Sequence, residues 1–337
     1  MGRIEYRAER KKVKKKRRLR TSFIVVLIIF LSVLGFGVYL TMQTYQAASD
    51  SYNDLGGREK SNLRDQAVSI SDDPVSILLM GVEDYSSGGE NGRTDTLMVA
   101  TFNPKDEKLK LLSIPRDTLV DIAGRGTQDK ITHAHVYGGK QMTIETVENF
   151  LGIPIDYYAA VNFETFKNIV DILGGITVNV PFDFYQNSDD RVAEKLQFYE
   201  GEMELDGRYA LAYARMRKQD PRGDIGRNER QQEVVSAIIK ESLSLGTITK
   251  IDDLAKEFGK NVETNMKVSE GLSFLKEYSD FRTSNIDKLT LETYGDMING
   301  VSYQIADEES LDEVQRELEA HLEIDPIETN STTFSNN

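Results

Sequence analysis

The sequence predicts a mixed α/β domain displayed behind a single transmembrane helix. Three observations predict it. Residues 22–41 (SFIVVLIIFLSVLGFGVYLT) form an apolar run inside a stretch, between Arg20 and Asp50, that has no charged side chain. Beyond residue 74, short apolar segments bounded by turn residues give way to segments with helical apolar spacing. Charge is also split. Residues 1–20 hold eleven Lys or Arg against Glu5 and Glu9, a net of +9, so the remaining residues of this −14 chain carry −23.

The apolar run comes first. At about 1.5 Å per residue, its twenty residues span roughly the 30 Å of a hydrocarbon core. A cleaved leader has a shorter apolar region ending in small residues, and Gln46-Ala47-Ala48 matches that pattern poorly. The run therefore reads as an uncleaved anchor at residues 21–42. The basic tail, 1–20, precedes it, and no Lys or Arg follows until Arg58. The positive-inside bias keeps the tail in the cytoplasm and sends the rest outside. Residues 43–73 are polar and read as a stem.

The expected domain covers 74–323. Residues 75–82 (VSILLMGV) are nearly all apolar, as in a strand buried on both faces. Residues 96–102 and 109–114 follow as strands of an antiparallel meander. Ile144, Val147, Phe150 and Leu151 share a helical face ended by Gly152 and Pro154. Asn162 is placed to cap a helix carrying Phe163, Phe166, Ile169, Val170 and Leu173, stopped by Gly174-Gly175. Residues 176–180 read as a strand. Val234, Val235, Ile238, Ile239 and Leu243 mark a helix before Gly246. Leu254, Ala255 and Phe258, then Leu272, Leu275 and Tyr278, suggest two more. Ser310 with Glu313 suggests a capping box ahead of Leu311, Val314, Leu318 and Leu322. Residues 324–337 read as a disordered tail.

Composition excludes several chemistries. There is no Cys, hence no disulfide scaffold, thiolate metal site or Cys nucleophile. The acidic body does not suit a duplex nucleic acid, and no specific nucleic-acid partner is expected. HExxH, GxSxG, Walker A and GxGxxG patterns do not occur. His133 and His135 lack a third zinc ligand of the right kind and read as packing or hydrogen-bonding residues.

Two clusters remain. In an up-down-up meander, Glu83 and Asp84 at the end of the first strand, Arg93 and Asp95 at the start of the second, and Arg116 and Asp117 after the third share one sheet edge. Oxygen-only ligands of this kind suit a hard cation such as Mg²⁺. Residues 208–230 hold six Arg (Arg208, Arg215, Arg217, Arg222, Arg227, Arg230) against Lys218 alone. The planar guanidinium fork binds phosphate or carboxylate in a bidentate way, so the excess marks either an oxyanion site or salt bridges to the surplus acids. Extended backbone at Arg215-Met216-Arg217 would put both guanidiniums on one face. A helix starting near Ile225 would set Arg227 and Gln231 one turn apart, with Asp224 capping it or orienting an Arg.

The segments ILLMGVED (77–84), GRTDTLMVATFNP (92–104), LLSIPRDT (111–118), DKITHAHVYGG (129–139), IVDILGGITVNV (169–180) and YARMRKQDPRGDIGRNERQQ (213–232) resemble the LytR-CpsA-Psr family. The resemblance covers about the first two-thirds of the exported domain and the topology of tail, span and outer domain. It implies a central mixed sheet with helices on both sides, entered by a hydrophobic groove. It implies an Mg²⁺-dependent phosphotransferase, with Mn²⁺ an alternative metal, that moves a glycopolymer from an undecaprenyl phosphate or pyrophosphate carrier to the 6-hydroxyl of muramic acid in peptidoglycan. The polymer would be a teichoic acid, capsule or related polysaccharide, and the setting the cell membrane of a Gram-positive-type envelope. Arg93, Arg116, Arg215, Arg217, Arg227 and Gln231 would bind the carrier phosphates. Asp95 would hold the metal with Glu83 or Asp84, because Glu83 stands where the family has Asp. Asp117 and Asp224 are the candidates for accepting the hydroxyl proton. The alternatives are an envelope-associated transcriptional attenuator and a non-catalytic binder of polyprenyl-phosphate glycans. Specificity is expected in loops such as 182–201.

Overall fold

The structure, a computed structural model, describes residues 53–324 except 54, 56, 59, 84–91, 189–194, 245–249 and scattered positions from 251 to 280. The basic tail, the apolar run and the C-terminal tail from 325 lie outside the described residues, as do Asp84 and, of the two helices expected between 254 and 278, Ala255, Phe258, Leu272, Leu275 and Tyr278. Among the described residues no helix is long and apolar enough to cross a membrane. Chain contacts separate Met1–Ala47 from Ala48–Asn337, and the second unit is described here.

The unit opens with the expected meander, β1 (Val75–Glu83), β2 (Arg93–Asn103) and β3 (Lys108–Ile114), paired antiparallel throughout. A hairpin, β4 (Leu119–Ile122) and β5 (Thr127–Lys130), leads to α1 (His133–Leu151). Gly138 and Gly139 leave helical geometry inside α1, and Gly152 ends it in the left-handed region. Strand β6 (Tyr157–Asn162) pairs parallel with β1. Next comes α2 (Phe163–Leu173), capped as its sequence requires: Thr165 N donates to Asn162 Oδ1 at 2.9 Å. Such a cap contributes about 1 kcal/mol.

Then follow β7 (Ile176–Val180), β8 (Phe184–Asn187), β9 (Lys195–Phe198), β10 (Gly201–Leu205), α3 (Gly207–Arg215) and α4 (Asp224–Ser242). The loop expected over 182–201 thus contains a β8–β9 hairpin. The chain ends in β11 (Val262–Thr264), β12 (Ile286–Leu289), the hairpin β13 (Thr293–Ile298) and β14 (Val301–Ala306), and α5 (Glu308–Leu322). The capping box is corrected. Asp307 caps α5, accepting from Ser310 N at 3.0 Å, and Ser310 Oγ instead accepts from Glu292 N. Glu308 and Glu309 favour the earlier start, because acids stabilise a first turn.

The main sheet runs β11-β6-β1-β2-β3-β12, with β6/β1 and β3/β12 parallel and the other pairs antiparallel. It is therefore mixed. Leu78, Met80 and Val99 face Ile144, Val147, Leu151, Val314 and Leu318 of α1 and α5. Met98, Ala100, Phe102 and Leu111 face the opposite layer, with Val235 and Ile239 of α4. A packed helical layer on one face and apolar neighbours on the other explain why β1 reads as a continuous apolar run. A second core joins α2, β7, β10, α3 and α4 through Val170, Val178, Leu205, Tyr213 and Val234.

The polar stretch before β1 is not a free stem over its described part. Arg58 pairs with Glu148 at 2.6 Å, Arg64 with Asp156 at 2.7 Å, and Ile70 is buried in the core. Charged side chains paired with partly buried carboxylates anchor this segment, a signal invisible to hydropathy.

Candidate active site

The meander brings its charged ends together as the topology requires. Arg116 Nη1 donates to Asp95 Oδ1 at 2.7 Å, and its Nε lies 3.7 Å from Asp117 Oδ2. The other Asp117 oxygen accepts from Lys130 Nζ at 2.8 Å. Asp95 occupies a bulge. Gly81 pairs with Thr96 and Val82 with Thr94, so Asp95 is the extra residue on β2. A bulge re-aims its side chain. Arg93, two residues earlier, would share the face of Asp95 in a regular strand. Instead it is exposed opposite Glu83 and is not among the residues lining the cavity described below.

The second half comes from the segment joining α3 to α4. Asp224 is the first helical residue, after Gly223, whose φ of +57° favours glycine. Asp224 does not cap α4. It bridges two arginines, with Oδ2 2.6 Å from Arg217 Nη2 and Oδ1 2.8 Å from Arg227 Nη2, the latter contact lacking hydrogen-bond geometry. Arg215 lies over the Phe163 ring at 4.7 Å. The connecting segment is held by a buried pair that joins Arg230, one of the six clustered arginines, to Asp220 as a salt bridge. Arg230 Nη1 donates to Asp220 Oδ2, its Nη2 to Met216 O, and its Nε to Tyr213 O. Gly226 packs on that pair. A Cβ there would lie 1.9 Å from Asp220 Oδ2. Gly226→Ala is therefore expected to lose about 1–3 kcal/mol of stability through overpacking, measured by denaturant unfolding.

The electrostatics favour an anion. Arg227 is depressed below the usual arginine range, chiefly by burial and further by repulsion from Arg116 and Arg217 despite Asp224. Burial also opposes the charge on Arg116, but Asp95, Asp117 and Asp224 together raise its pKa. Nε of Arg116 and Nε of Arg227 are buried without hydrogen-bond acceptors among the described residues. Asp117 is lowered: burial opposes its charge, but the Lys130 hydrogen bond and the charges of Arg116, Lys130 and Arg227 outweigh it. A depressed carboxylate stabilises the fold above its unfolded pKa, and that contribution is lost as pH falls through the folded value. The stability difference between the parent chain and Asp117→Asn should therefore shrink below about pH 4, measured by unfolding at several pH values.

Behind the cluster opens a cavity of about 1460 Å³. Its walls are apolar, with Leu79, Phe102, Val161, Ile169, Val235 and Ile238 among them. Asp95, Arg116, Arg215, Arg217, Arg227 and Gln231 also line it. Of the sequence-level candidates, these are the ones brought to one chamber. Asp117 and Asp224 stand behind it, bonded to its arginines. Val170 and Leu173 are core residues, whereas Ile169 and Val235 face the cavity. Lys130 was missed, although it lies in the KITHAH segment whose histidines drew notice. Those histidines bond locally, His133 Nδ1 with Asp129 at 2.8 Å and His135 Nδ1 with Gly92 O at 2.7 Å. Among the described residues no three His, Cys, Asp or Glu side chains form a group able to hold a metal. Asp84 is outside that set, and Asp95 offers the oxygen donor that suits Mg²⁺ at the chamber wall.

This fold has known counterparts. The LytR_cpsA_psr family model matches residues 38–320. The chain belongs to the LytR-CpsA-Psr family. It is 44% identical over 319 residues to the polyisoprenyl-teichoic acid–peptidoglycan teichoic acid transferase TagV of Bacillus subtilis (strain 168), spanning 93% of this chain and 81% of that protein. The crystal structure of B. subtilis TagV matches with a TM-score of 0.68 and 46% identity, covering 76% of this chain and 100% of that one. A structure of TagT bound to LIIa-WTA matches with a TM-score of 0.66 and 34% identity, covering 80% of this chain and 98% of that one.

Proposed function

We propose that this protein is a membrane-anchored phosphotransferase that moves a glycopolymer from an undecaprenyl phosphate or pyrophosphate carrier to peptidoglycan. One observation carries the proposal: charged guanidiniums line the same large chamber as a continuous apolar wall. Its ligand must have an anionic head and a long apolar tail. A lipid-linked pyrophosphate has both. The names of the relatives, teichoic acid transferases acting on polyisoprenyl-linked teichoic acid, support this reading.

Arg116, Arg215, Arg217, Arg227 and Gln231 bind the phosphates. Arg93, exposed and outside the chamber lining, would meet only a phosphate that projects beyond the chamber. The acceptor hydroxyl oxygen attacks the phosphorus that bears the polymer. From the pyrophosphate carrier a new P–O bond forms, the bond to the bridging oxygen breaks, and polyprenyl phosphate leaves with the electron pair; from a monophosphate carrier the same attack expels the polyprenol. The guanidiniums neutralise charge developing on the leaving oxygen. When Arg217 and Arg227 turn to phosphate, Asp224 is released from them and takes the hydroxyl proton. Asp117 is the weaker candidate base, because Lys130 and Arg116 lower its affinity for a proton. Asp95, with Glu83 or Asp84, would hold Mg²⁺ or Mn²⁺, which supplies further neutralisation of phosphate charge.

The test incubates the full-length chain in detergent with defined undecaprenyl-linked glycans, peptidoglycan oligomers and Mg²⁺, read by mass spectrometry. A phosphodiester-linked product is expected. Tight carrier binding without product would make the chain a binding module instead. Chelation of divalent ions is expected to abolish transfer, and Mg²⁺ or Mn²⁺ to restore it. Full activity in chelator would remove the metal from the scheme. In cells, protease added outside should digest the domain and spare the tail.

A further inference from the structure

An in-line displacement needs the attacking oxygen and the leaving oxygen on opposite sides of phosphorus. If the carrier occupies the apolar chamber, the acceptor glycan must approach from the other side of Arg116 and Asp117. A built surface outside the chamber lining adjoins Asp117 through Lys130. Tyr137 is held on three sides: its hydroxyl donates to Asp129 Oδ2 at 2.6 Å, Arg125 stacks on its ring at 3.9 Å, and the His133 ring meets it edge-on at 6.0 Å. Tyr137 is still 41% exposed. An exposed tyrosine fixed by three partners is preorganised for a ligand.

The surface connects to the site through Lys130. That ammonium bonds Asp117 Oδ1 at 2.8 Å and lies 5.7 Å from the centre of the Tyr303 ring. Tyr303 is carried on β14, whose neighbouring residue Gln304 donates its backbone N–H to Asp117 O at 2.9 Å. None of Arg125, Lys130, Tyr137 and Tyr303 lines the apolar chamber. Aromatic rings offer faces for the C–H surface of a pyranose. The guanidinium, ammonium and carboxylate beside them offer partners for hydroxyl and acetamido groups.

We infer that Tyr137 and Tyr303, with Arg125 and Lys130, form the subsite for the acceptor, an N-acetylated glycan strand of peptidoglycan. The inference rests on the proposed transfer reaction and names its acceptor side. The acceptor hydroxyl is thereby delivered past Asp117 toward the phosphorus, from the side opposite the lipid.

The test has two arms. In the first, the full-length chain in detergent is titrated, without donor, with a tetrasaccharide of alternating N-acetylglucosamine and N-acetylmuramic acid. Tyr137→Ala and Tyr303→Ala should each weaken binding about tenfold, the loss expected of a stacked anchor. Tyr137→Phe, which keeps the ring, should retain most of the affinity. In the second, transfer is measured. Both Ala variants should raise the acceptor KM while leaving the donor KM and the carrier affinity unchanged. Unchanged tetrasaccharide binding in both Ala variants overturns the inference. An equal loss of carrier affinity also overturns it, by assigning the surface to the donor. Absence of any transfer in the parent chain counts against the proposed reaction, and the binding arm still decides whether the surface takes glycan.

Discussion

Arg217→Ala should lower transfer by about 10²–10³-fold, the loss typical of removing one preorganised donor from developing charge. Arg217 is the exposed member of the Arg217–Asp224–Arg227 group, with its side chain 48% exposed, so the fold should survive. Its removal leaves Asp224 paired with Arg227 alone. The carrier KM should rise less than kcat falls, because in the proposed scheme Arg116, Arg215 and Arg227 would still hold the ground-state phosphates. Steady-state kinetics with circular dichroism as the folding control checks this. Full activity in both Arg217→Ala and Arg116→Ala would overturn the assignment of the chamber as the transfer site.

Arg230→Met should destabilise the protein by about 3–5 kcal/mol, because it leaves the carboxylate of Asp220 buried and unpaired. The Asp220 side chain has no exposed surface and that of Arg230 is 3% exposed. Burial disfavours the Asp220 charge, yet the Arg230 hydrogen bond, helped by the Arg222 backbone N–H, keeps its pKa low. The double variant Asp220→Leu, Arg230→Met should recover part of the loss, since no charge is then stranded. Urea unfolding of the parent, both single variants and the double variant measures the coupling. A fully additive result would mean that the pair does not act as a unit. Transfer should fall in all three variants, because Arg230 holds Tyr213 O and Met216 O, and so the segment that presents Arg217.

The parts of the fold that local pattern determines were legible. The meander strands, α2 with its Asn162 cap, and α4 each carry their signal within a few residues. Strand β6 was not. Its sequence, YYAAVN, is unremarkable alone, and it earns its place by pairing parallel with β1 at the centre of the sheet. Such pairing is non-local and leaves no periodicity. Strands β11 and β12 are three and four residues long, too short for a pattern. At the site, residue types were readable and directions were not. Arg93 and Asp95 looked equivalent, and one bulge separated them. Asp224 read as either a cap or a partner for an Arg, and with Gly223 at the cap position its carboxylate meets Arg217 and Arg227. Lys130 and the Asp220–Arg230 pair needed tertiary structure, because their partners come from other segments or from a turn with no periodic signal.

The apolar chamber also has a calorimetric consequence. At the volume water occupies in the liquid, about 1460 Å³ accommodates on the order of fifty water molecules. Water against such walls is poorly hydrogen-bonded. A carrier tail that displaces it should bind with a negative heat-capacity change that grows with tail length. Because the ligand binds only the folded chain, the melting temperature should climb with its concentration. A short-chain carrier bearing the same pyrophosphate would fill fewer of the walls and raise the melting temperature less. The shift in melting temperature would then act as a ruler for how far the hydrocarbon reaches between the sheet and α4.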